Sequence, residues 1–326
     1  MSIQQIHEGI YAITTPFDKT GTVFLYLLRG DRVALIDTGA SDSPAAVLRP
    51  ALAEVGLSLA KVDVILNTHA HLDHSGGNAE TKRQSGARIH VHRDDLPMAS
   101  SSEAQVAFHT DPLRALAYPA ESIRERTEHV LRNAGEPAGA DVLLRDGDLI
   151  ELGNVRLEVV HCPGHTPGHV AYYWRREGVL FTGDAVQGYG ARPGSYPYYF
   201  DAPNYRASLE RLSSLEFETL CLGHAFHGGT LMNAPVRRGA EARAFLQASI
   251  GVADTIHRVT ADVCRQRPGE SKRELALAAL DELLYEMPQL RVRQTGFPLL
   301  AGPTLLAHIE AVSADTYPVK KVPDTI

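Results

Sequence analysis

Short runs of branched and aromatic residues, separated by turn-forming residues, dominate the first ninety positions of the chain. Five of these runs predict β-strands, at 9–14, 22–28, 32–37, 62–67 and 86–91. Ser43 followed by Pro44 predicts the start of a helix that runs to Val55 and stops at Gly56. Gly76 and Gly77 precede a second helix. The pattern therefore predicts an α/β fold.

From about 94 to 140 the apolar residues recur at helical spacing, with prolines as breaks, which predicts a helical insertion over the sheet. Strand patterns resume at 141–144, 148–152, 155–160, 170–174 and 178–182, and a helix near 205–215 and a strand at 219–222 follow. After about 235 the pattern is helical only, at 240–265, from a cap at Ser271 through 284, and at 299–312. We therefore expect an α/β domain over 1–234 and a helical extension over 235–326.

Composition narrows the class of protein without naming a function. Hydrophobic residues make up 44% and charged residues 22% of the 326 positions, as in an ordinary globular enzyme. The net charge of −7 gives no reason to expect a nucleic-acid or membrane partner, and no apolar run approaches the roughly 18 residues of a membrane helix. The N-terminal residues lack signal-peptide features, and three cysteines are too few for a disulfide framework. We expect a cytoplasmic protein with reduced thiols.

Seven residues of metal-binding type follow the predicted strands in a regular order. The run Thr68–His74 has the form H-x-H-x-D-H, and single histidines or aspartates come after three later strands. The complete set is His69, His71, Asp73, His74, His165, Asp184 and His224. Zinc and similar divalent ions prefer imidazole and carboxylate ligands. The sequence therefore predicts a metal site that could hold two ions.

These motifs resemble those of the metallo-β-lactamase superfamily. Besides the H-x-H-x-D-H run, the segments Cys162–His169, Phe181–Asp184 and Leu222–His224 are similar to its G-H-T-P-G-H, G-D and G-H motifs. The resemblance covers residues from about 10 to 230. It implies an αββα sandwich of two mixed sheets with outer helices, 1–234 as the catalytic domain and 235–326 as a helical cap.

The resemblance also implies how the ligands divide between two divalent ions, with zinc first and iron, manganese or cobalt as alternatives. One ion takes His69, His71 and His165, the other takes Asp73, His74 and His224, and Asp184 bridges both. A hydroxide between the ions is then the nucleophile, and Asp73 is the catalytic residue that orients it. His169 is expected to support the ligands rather than to bind metal.

Departures from the motifs of known branches narrow the substrate. Asp184 stands where two β-lactamase subclasses carry cysteine, which disfavours β-lactam hydrolysis. Residues 184–190 differ from the glutathione-contacting segment of glyoxalase II, and Gln187 stands where homoserine lactonases carry a catalytic tyrosine. We expect hydrolysis of a small acyl thioester, ester or lactone. The alternatives are a regulatory or signalling protein that retains the metal site, and a phosphodiesterase or nuclease.

The aromatic loop 188–200 follows the bridging aspartate. We expect Tyr189, Arg192 and Tyr196 to bind a small-molecule substrate, with a tyrosine hydroxyl or the arginine meeting its polar groups. In the alternative interpretation the aromatic residues only pack the loop onto the domain, and Arg192 is solvated. The C-terminal helices could roof the pocket or form the interface of a homodimer.

Overall fold

A computed structural model describes residues 2–18, 21–191, 195–228, 234–290 and 301–318. Thirteen strands are found in this part of the chain: β1 (Ser2–His7), β2 (Ile10–Phe17), β3 (Gly21–Arg29), β4 (Val33–Ile36), β5 (Val64–Leu66), β6 (Arg88–His92), β7 (Val142–Leu144), β8 (Leu149–Glu151), β9 (Arg156–His161), β10 (Val170–Trp174), β11 (Val179–Gly183), β12 (Thr219–Leu222) and β13 (Val236–Arg238). Its α-helices are α1 (Arg49–Glu54), α2 (Leu72–Ser75), α3 (Asn78–Ser85), α4 (Leu96–Ser100), α5 (Ser102–Ala115), α6 (Ala120–Asn133), α7 (Ala202–Ser213), α8 (Gly239–Gln266), α9 (Lys272–Glu286) and α10 (Ala301–Ala314).

The strands form two mixed sheets that pack face to face. The first sheet has the order β1 to β7, antiparallel up to β4 and parallel from β4 onward. The second has the order β13-β12-β11-β10-β9-β8, in which only β11 and β12 are parallel. Tyr26 of β3 meets Phe181 of β11 edge to face at 5.2 Å in the core between the sheets.

Helices cover the outer face of each sheet. Leu48, just before α1, and Leu52, in α1, pack on the first sheet. Leu209 of α7 and Phe245 of α8 pack on the second. Burial of this apolar surface on both faces is the main stabilising contribution in such layered folds. The predicted αββα sandwich with its outer helices is therefore confirmed.

The insertion and the C-terminal helices meet in one apolar cluster. Leu113 and Leu116, at the end of α5, are buried with Ile256 of α8, Leu283 of α9 and Leu305 of α10. The helices α4 to α6 lie between β6 and β7, where the sequence predicted an insertion. Two segments more than a hundred residues apart therefore form one helical layer. No helix of the described residues has the length and apolar character that crossing a bilayer requires.

Three local features differ from the sequence pattern. The chain is not purely helical after 235, because β13 pairs with β12 at the edge of the second sheet. Its sequence Val-Arg-Arg is too short and too charged to show a strand pattern, and Arg237 is buried because it donates to the Phe226 carbonyl and pairs with Glu241. β1 was not predicted either, and Pro112 lies inside α5 rather than breaking it. The division at 234/235 stays a prediction.

Candidate metal centre

The seven predicted ligands lie in four loops at one edge of the sandwich. The first loop follows β5 and runs into the short helix α2, and the others follow β9, β11 and β12. Strand ends of a packed sheet hold such loops rigidly, so side chains that are distant in sequence can converge.

The donor atoms form overlapping groups whose members lie within 4.8 Å of one another. One group is His69, His71 and His165, another is Asp73, His74 and His224, and a third joins His69 and His74 to Asp184. The structure thus brings together the two sets that the sequence assigned to separate ions.

Asp184 lies between the two sets of ligands. Its Oδ2 is 3.5 Å from Nε2 of His165 and 3.2 Å from Nε2 of His224. Its Oδ1 is 3.5 Å from Nε2 of His74. The carboxylate therefore contacts both sets, as a bridging ligand would.

Hydrogen bonds on the outer side of the imidazoles fix which nitrogen faces the centre. Nδ1 of His74 is 2.8 Å from Asp37, Nδ1 of His224 is 2.7 Å from the Thr22 carbonyl, and Nδ1 of His165 bonds to the Tyr198 carbonyl. Carboxylate and carbonyl oxygens only accept, so Nδ1 carries the hydrogen in each case. Nε2 is therefore the nitrogen of each of these rings that faces the centre and would bind a metal ion.

Unpartnered atoms at the centre show that the donor set fits divalent cations. Nε2 of His69 lies 3.2 Å from Nε2 of His165, and Nε2 of His74 lies 3.2 Å from Nε2 of His224. Two lone pairs this close repel unless a proton or a metal ion lies between them. In addition, Nε2 of His71 and Oδ1 of Asp184 are buried and have no hydrogen-bond partner among the residues that the structure describes.

The pKa shifts divide the histidines of the centre into two groups. Some are held neutral, and others are favoured in the charged form by neighbouring carboxylates. Burial and the neighbouring imidazoles hold the pKa of His69 and His71 well below the usual range, so both are neutral ligands at pH 7. Burial alone would raise the pKa of Asp73, but its hydrogen bond and charge interactions with His224 and His74 lower it to about 2. Burial opposes charge on His224 as well, yet Asp184 and Asp73 raise its pKa well above normal. The carboxylates therefore favour a cation here.

Asp95 ties two of the ligand loops together. It accepts hydrogen bonds from the Ala70 amide at 2.9 Å, the Thr166 hydroxyl at 2.7 Å and the Gly168 amide at 2.6 Å. Ala70 lies between His69 and His71, and Thr166 follows the ligand His165. The carboxylate thus sets the spacing of the ligands in one group.

His169 and Gly223 both support Asp184. The Asp184 amide donates to Nε2 of His169 at 3.1 Å, so Nδ1 of His169 carries the hydrogen and donates to the thiol of Cys162 at 3.3 Å. Both nitrogens are used, which is consistent with a supporting role for His169 rather than a ligand role. A Cβ on Gly223 would lie 2.2 Å from Oδ1 of Asp184, so the bridging carboxylate needs glycine at this position.

A cavity of about 150 Å³ opens onto the ligands. Of the three predicted substrate residues, Tyr196 lines it, and its buried hydroxyl has no hydrogen-bond partner in the described part of the chain. Tyr189 does not line it and packs against the helical cluster. Arg192 lies outside the described residues.

Four further residues of the cavity wall were missed by the sequence analysis: His109, Arg126, His129 and Tyr198. The first three belong to the insertion, for which the sequence predicts only a cover over the sheet. The sequence does show an arginine and two histidines in the predicted helices of the insertion. They are far in sequence from the ligand motifs, so nothing linked them to the metal site.

The segment around Tyr198 is held on two sides, by Gln187 of the same loop and by Thr304 of α10. Gln187 donates to the Tyr198 carbonyl at 2.8 Å and accepts from its amide at 2.6 Å. On the other side, Thr304 of α10 donates to the Pro197 carbonyl at 2.7 Å and accepts from the Tyr199 amide at 3.2 Å. Because the Tyr198 carbonyl accepts from His165, α10 helps to orient a ligand of the centre.

Comparison with known proteins agrees with this geometry. The family model of the metallo-beta-lactamase superfamily matches residues 18–224. A hydroxyacylglutathione hydrolase from Rhodospirillum rubrum is 30% identical over 190 residues, and the match covers 56% of this chain and 57% of the relative. An acyl-coenzyme A thioesterase from Homo sapiens is 28% identical over 223 residues, which are 65% of this chain and 75% of the relative. The chain thus spans less than two thirds of the first relative's length.

A solved structure matches nearly the whole chain. A metallo-beta-lactamase family protein from Thermus thermophilus superposes with a TM-score of 0.71 and 26% identity, over 95% of both chains. The match includes the helical insertion and extension as well as the two sheets, since so little of either chain is left out.

Proposed function

The chain belongs to the metallo-β-lactamase superfamily, and we propose that it is a dinuclear metal-dependent hydrolase of a small acyl thioester, ester or lactone. The observation that carries the proposal is the convergence of seven donor atoms whose lone pairs face one another in two sets around Asp184. Zinc suits this nitrogen and oxygen set, and iron, manganese and cobalt are alternatives.

One ion would be held by His69, His71 and His165. The other would be held by Asp73, His74 and His224, and Asp184 would bind both. When bound, such a pair polarises a carbonyl oxygen and makes water nucleophilic near neutral pH. Asp73, the proposed catalytic residue, is ionised because its pKa is about 2, so its carboxylate accepts a hydrogen bond from the attacking water and orients it.

The acyl substrate class is supported by the relatives and by the cavity. The names of the two relatives describe hydrolysis of hydroxyacylglutathione and of acyl-coenzyme A. The cavity combines the apolar side chains of Phe17, Leu72 and Phe226 with a larger number of polar side chains on and around the ligands. A small acyl group beside a polarised carbonyl matches this lining.

The experiment is a substrate panel with metal-loaded protein of measured metal content. Acyl thioesters, lactones and a phosphodiester are offered to the wild type and to the Asp184→Asn variant. We expect turnover of a thioester, ester or lactone, and loss of both turnover and metal in the variant. Asp63→Asn is the matched control, because Asp63 is an exposed carboxylate that accepts a backbone hydrogen bond away from the site.

Two results would contradict the proposal. The first is an Asp184→Asn protein that keeps full activity and two metal ions per chain. The second is a fully loaded wild type that cleaves no ester, thioester or lactone. Turnover of the phosphodiester alone would move the assignment to that class, and no turnover at all would favour a regulatory protein.

A further inference from the structure

Arg126 is a charged residue of the cavity wall without an acidic partner among the described residues. It lies on α6, and its Nη2 donates to Nδ1 of His109 at 3.0 Å and to the Tyr198 hydroxyl at 3.3 Å. No carboxylate in the described part of the chain forms an ion pair with it, whereas Arg124 on the same helix pairs with Glu121 at 3.1 Å. A partly buried guanidinium whose hydrogen-bond partners are neutral is costly unless an anion joins it.

The hydrogen bond from Arg126 also fixes the tautomer of His109. A guanidinium has donors only, so Nδ1 of His109 accepts and its hydrogen must be on Nε2. That Nε2 is buried and has no partner among the described residues. The two donors lie on different edges of the imidazole, since Arg126 occupies the Nδ1 edge and the N–H is at Nε2. The charged guanidinium is therefore the group of this wall that suits an oxyanion.

The acidic residues that line the cavity form no ion pair with Arg126. Asp73 and Asp184 belong to the ligand cluster, and Asp18 lies 3.6 Å from Nδ1 of His129. Within the described residues Arg126 therefore keeps an unpaired positive charge, which an anionic molecule in the cavity would neutralise.

We propose that Arg126 binds a carboxylate on the acyl part of the substrate. The inference rests on the proposed function and narrows its substrate class to esters, thioesters or lactones of short acids that carry a second, free carboxylate. His109 and Tyr198 take the two hydrogens of Nη2, which leaves those of Nε and Nη1 for a ligand. A carboxylate is favoured because its negative charge makes hydrogen bonds to a guanidinium short and strong.

The chain length of the acid follows from the spacing. The ring centroid of His109 is 4.6 Å from that of His71, and Nη2 of Arg126 donates to Nδ1 of the His109 ring at 3.0 Å. One imidazole thus separates the guanidinium from the ligand cluster. We expect a linker of two or three carbons between the free carboxylate and the reacting carbonyl.

The first experiment compares two thioesters of one neutral thiol, the succinyl compound and its uncharged amide of the same shape. The readout is the ratio of their kcat/KM values. We expect the wild type to prefer the carboxylate and Arg126→Gln to lower the ratio by about 10- to 100-fold, because a hydrogen bond to a charged group is lost. Arg126→Lys should keep part of the preference. Arg124→Gln is the matched control and should leave the ratio unchanged.

The second experiment does not depend on hydrolysis. Succinate is titrated calorimetrically into the metal-loaded wild type, Arg126→Gln and Arg124→Gln, after their melting temperatures and metal contents have been matched. Weaker binding in Arg126→Gln alone supports the subsite even if no ester is cleaved, in which case the proposed function fails and the subsite stands. Equal binding in all three proteins overturns the subsite.

Two further results would overturn the inference while hydrolysis persists. One is a wild-type ratio near unity, or a ratio that Arg126→Gln leaves unchanged. The other is an Arg126-dependent preference for a carboxylate on the thiol, tested with thioglycolate and its amide as leaving groups, which would place the anion on the wrong side of the scissile bond.

Discussion

Asp37 is not one of the predicted ligands, yet its replacement by asparagine should weaken metal binding. The buried carboxylate accepts from the Thr68 amide, the Thr68 hydroxyl and Nδ1 of His74, each at 2.8 Å. Asparagine has one oxygen fewer, so its amide must face at least one of these donors. Asp37 has a left-handed backbone, with φ of 62°, which asparagine also tolerates. The substitution therefore tests the side chain alone.

The expected magnitude follows from the bonds that are lost. The Asp37 carboxylate accepts a hydrogen bond from His74, whose charged form Asp184 and Asp37 favour. A hydrogen bond to a charged group contributes about 1.5–3 kcal/mol of stability. We expect Asp37→Asn to bind metal about 10- to 100-fold more weakly, as replacement of ligand-orienting groups does in other sites. A Thr68 amide left without a partner would also lower the free energy of unfolding of the metal-free protein by about 1–3 kcal/mol.

The assay is a chelator-competition titration of zinc, together with urea denaturation of the metal-free protein. Asp63→Asn is the control, because Asp63 also accepts a backbone amide at 2.8 Å but is exposed and distant from the ligands. If Asp37→Asn lowers stability but binds zinc as tightly as the wild type, then Asp37 only supports the fold and the reasoning is refuted.

Three other predictions follow from single features. Gly223→Ala should lower the metal content of the protein, because the added Cβ would collide with Asp184. Its control, Gly251→Ala on α8, places the Cβ in open space and should raise the free energy of unfolding by about 0.5–1 kcal/mol. Metal analysis and urea denaturation of both variants check these expectations. The raised pKa of His224 stabilises the metal-free fold below about pH 6.5, the unfolded value, and this stability should be lost as pH rises through the folded pKa. Thermal melts of metal-free protein against pH should show that decline, and metal-loaded protein should not. Ser271→Ala removes a capping box from α9 and should cost about 1 kcal/mol, and an unchanged melting temperature would contradict this.

The sheets and the ligand loops could be predicted because their signals are local. Strand runs between turn residues gave eleven of the thirteen strands in the described residues, and each ligand motif directly follows one of them. β13 was not predicted because a strand of three residues, two of them arginine, cannot show an alternating pattern. The two-set arrangement of donors was implied by the resemblance to the metallo-β-lactamase superfamily, which rests on the ligand motifs.

The cavity wall could not be predicted because it depends on contacts between distant segments. His109 and Arg126 reach the ligands only because α5 and α6 fold back over the loops after β5 and β9. Nothing in the local pattern distinguishes Arg126 from Arg124, which is exposed and paired. The difference is which face of α6 meets the cavity, and that is decided by packing against elements far along the chain.

The hold of α10 on the loop that carries Tyr198 has a consequence for the order in which the protein matures. All seven donor residues have been synthesised once the ribosome has passed residue 224, but Thr304 and its helix come some eighty residues later. In a nascent chain the seven candidate ligands are therefore present before the loop that positions His165 is anchored. The candidate centre takes its final geometry only when α10 docks, so completion of the site is a late step of folding.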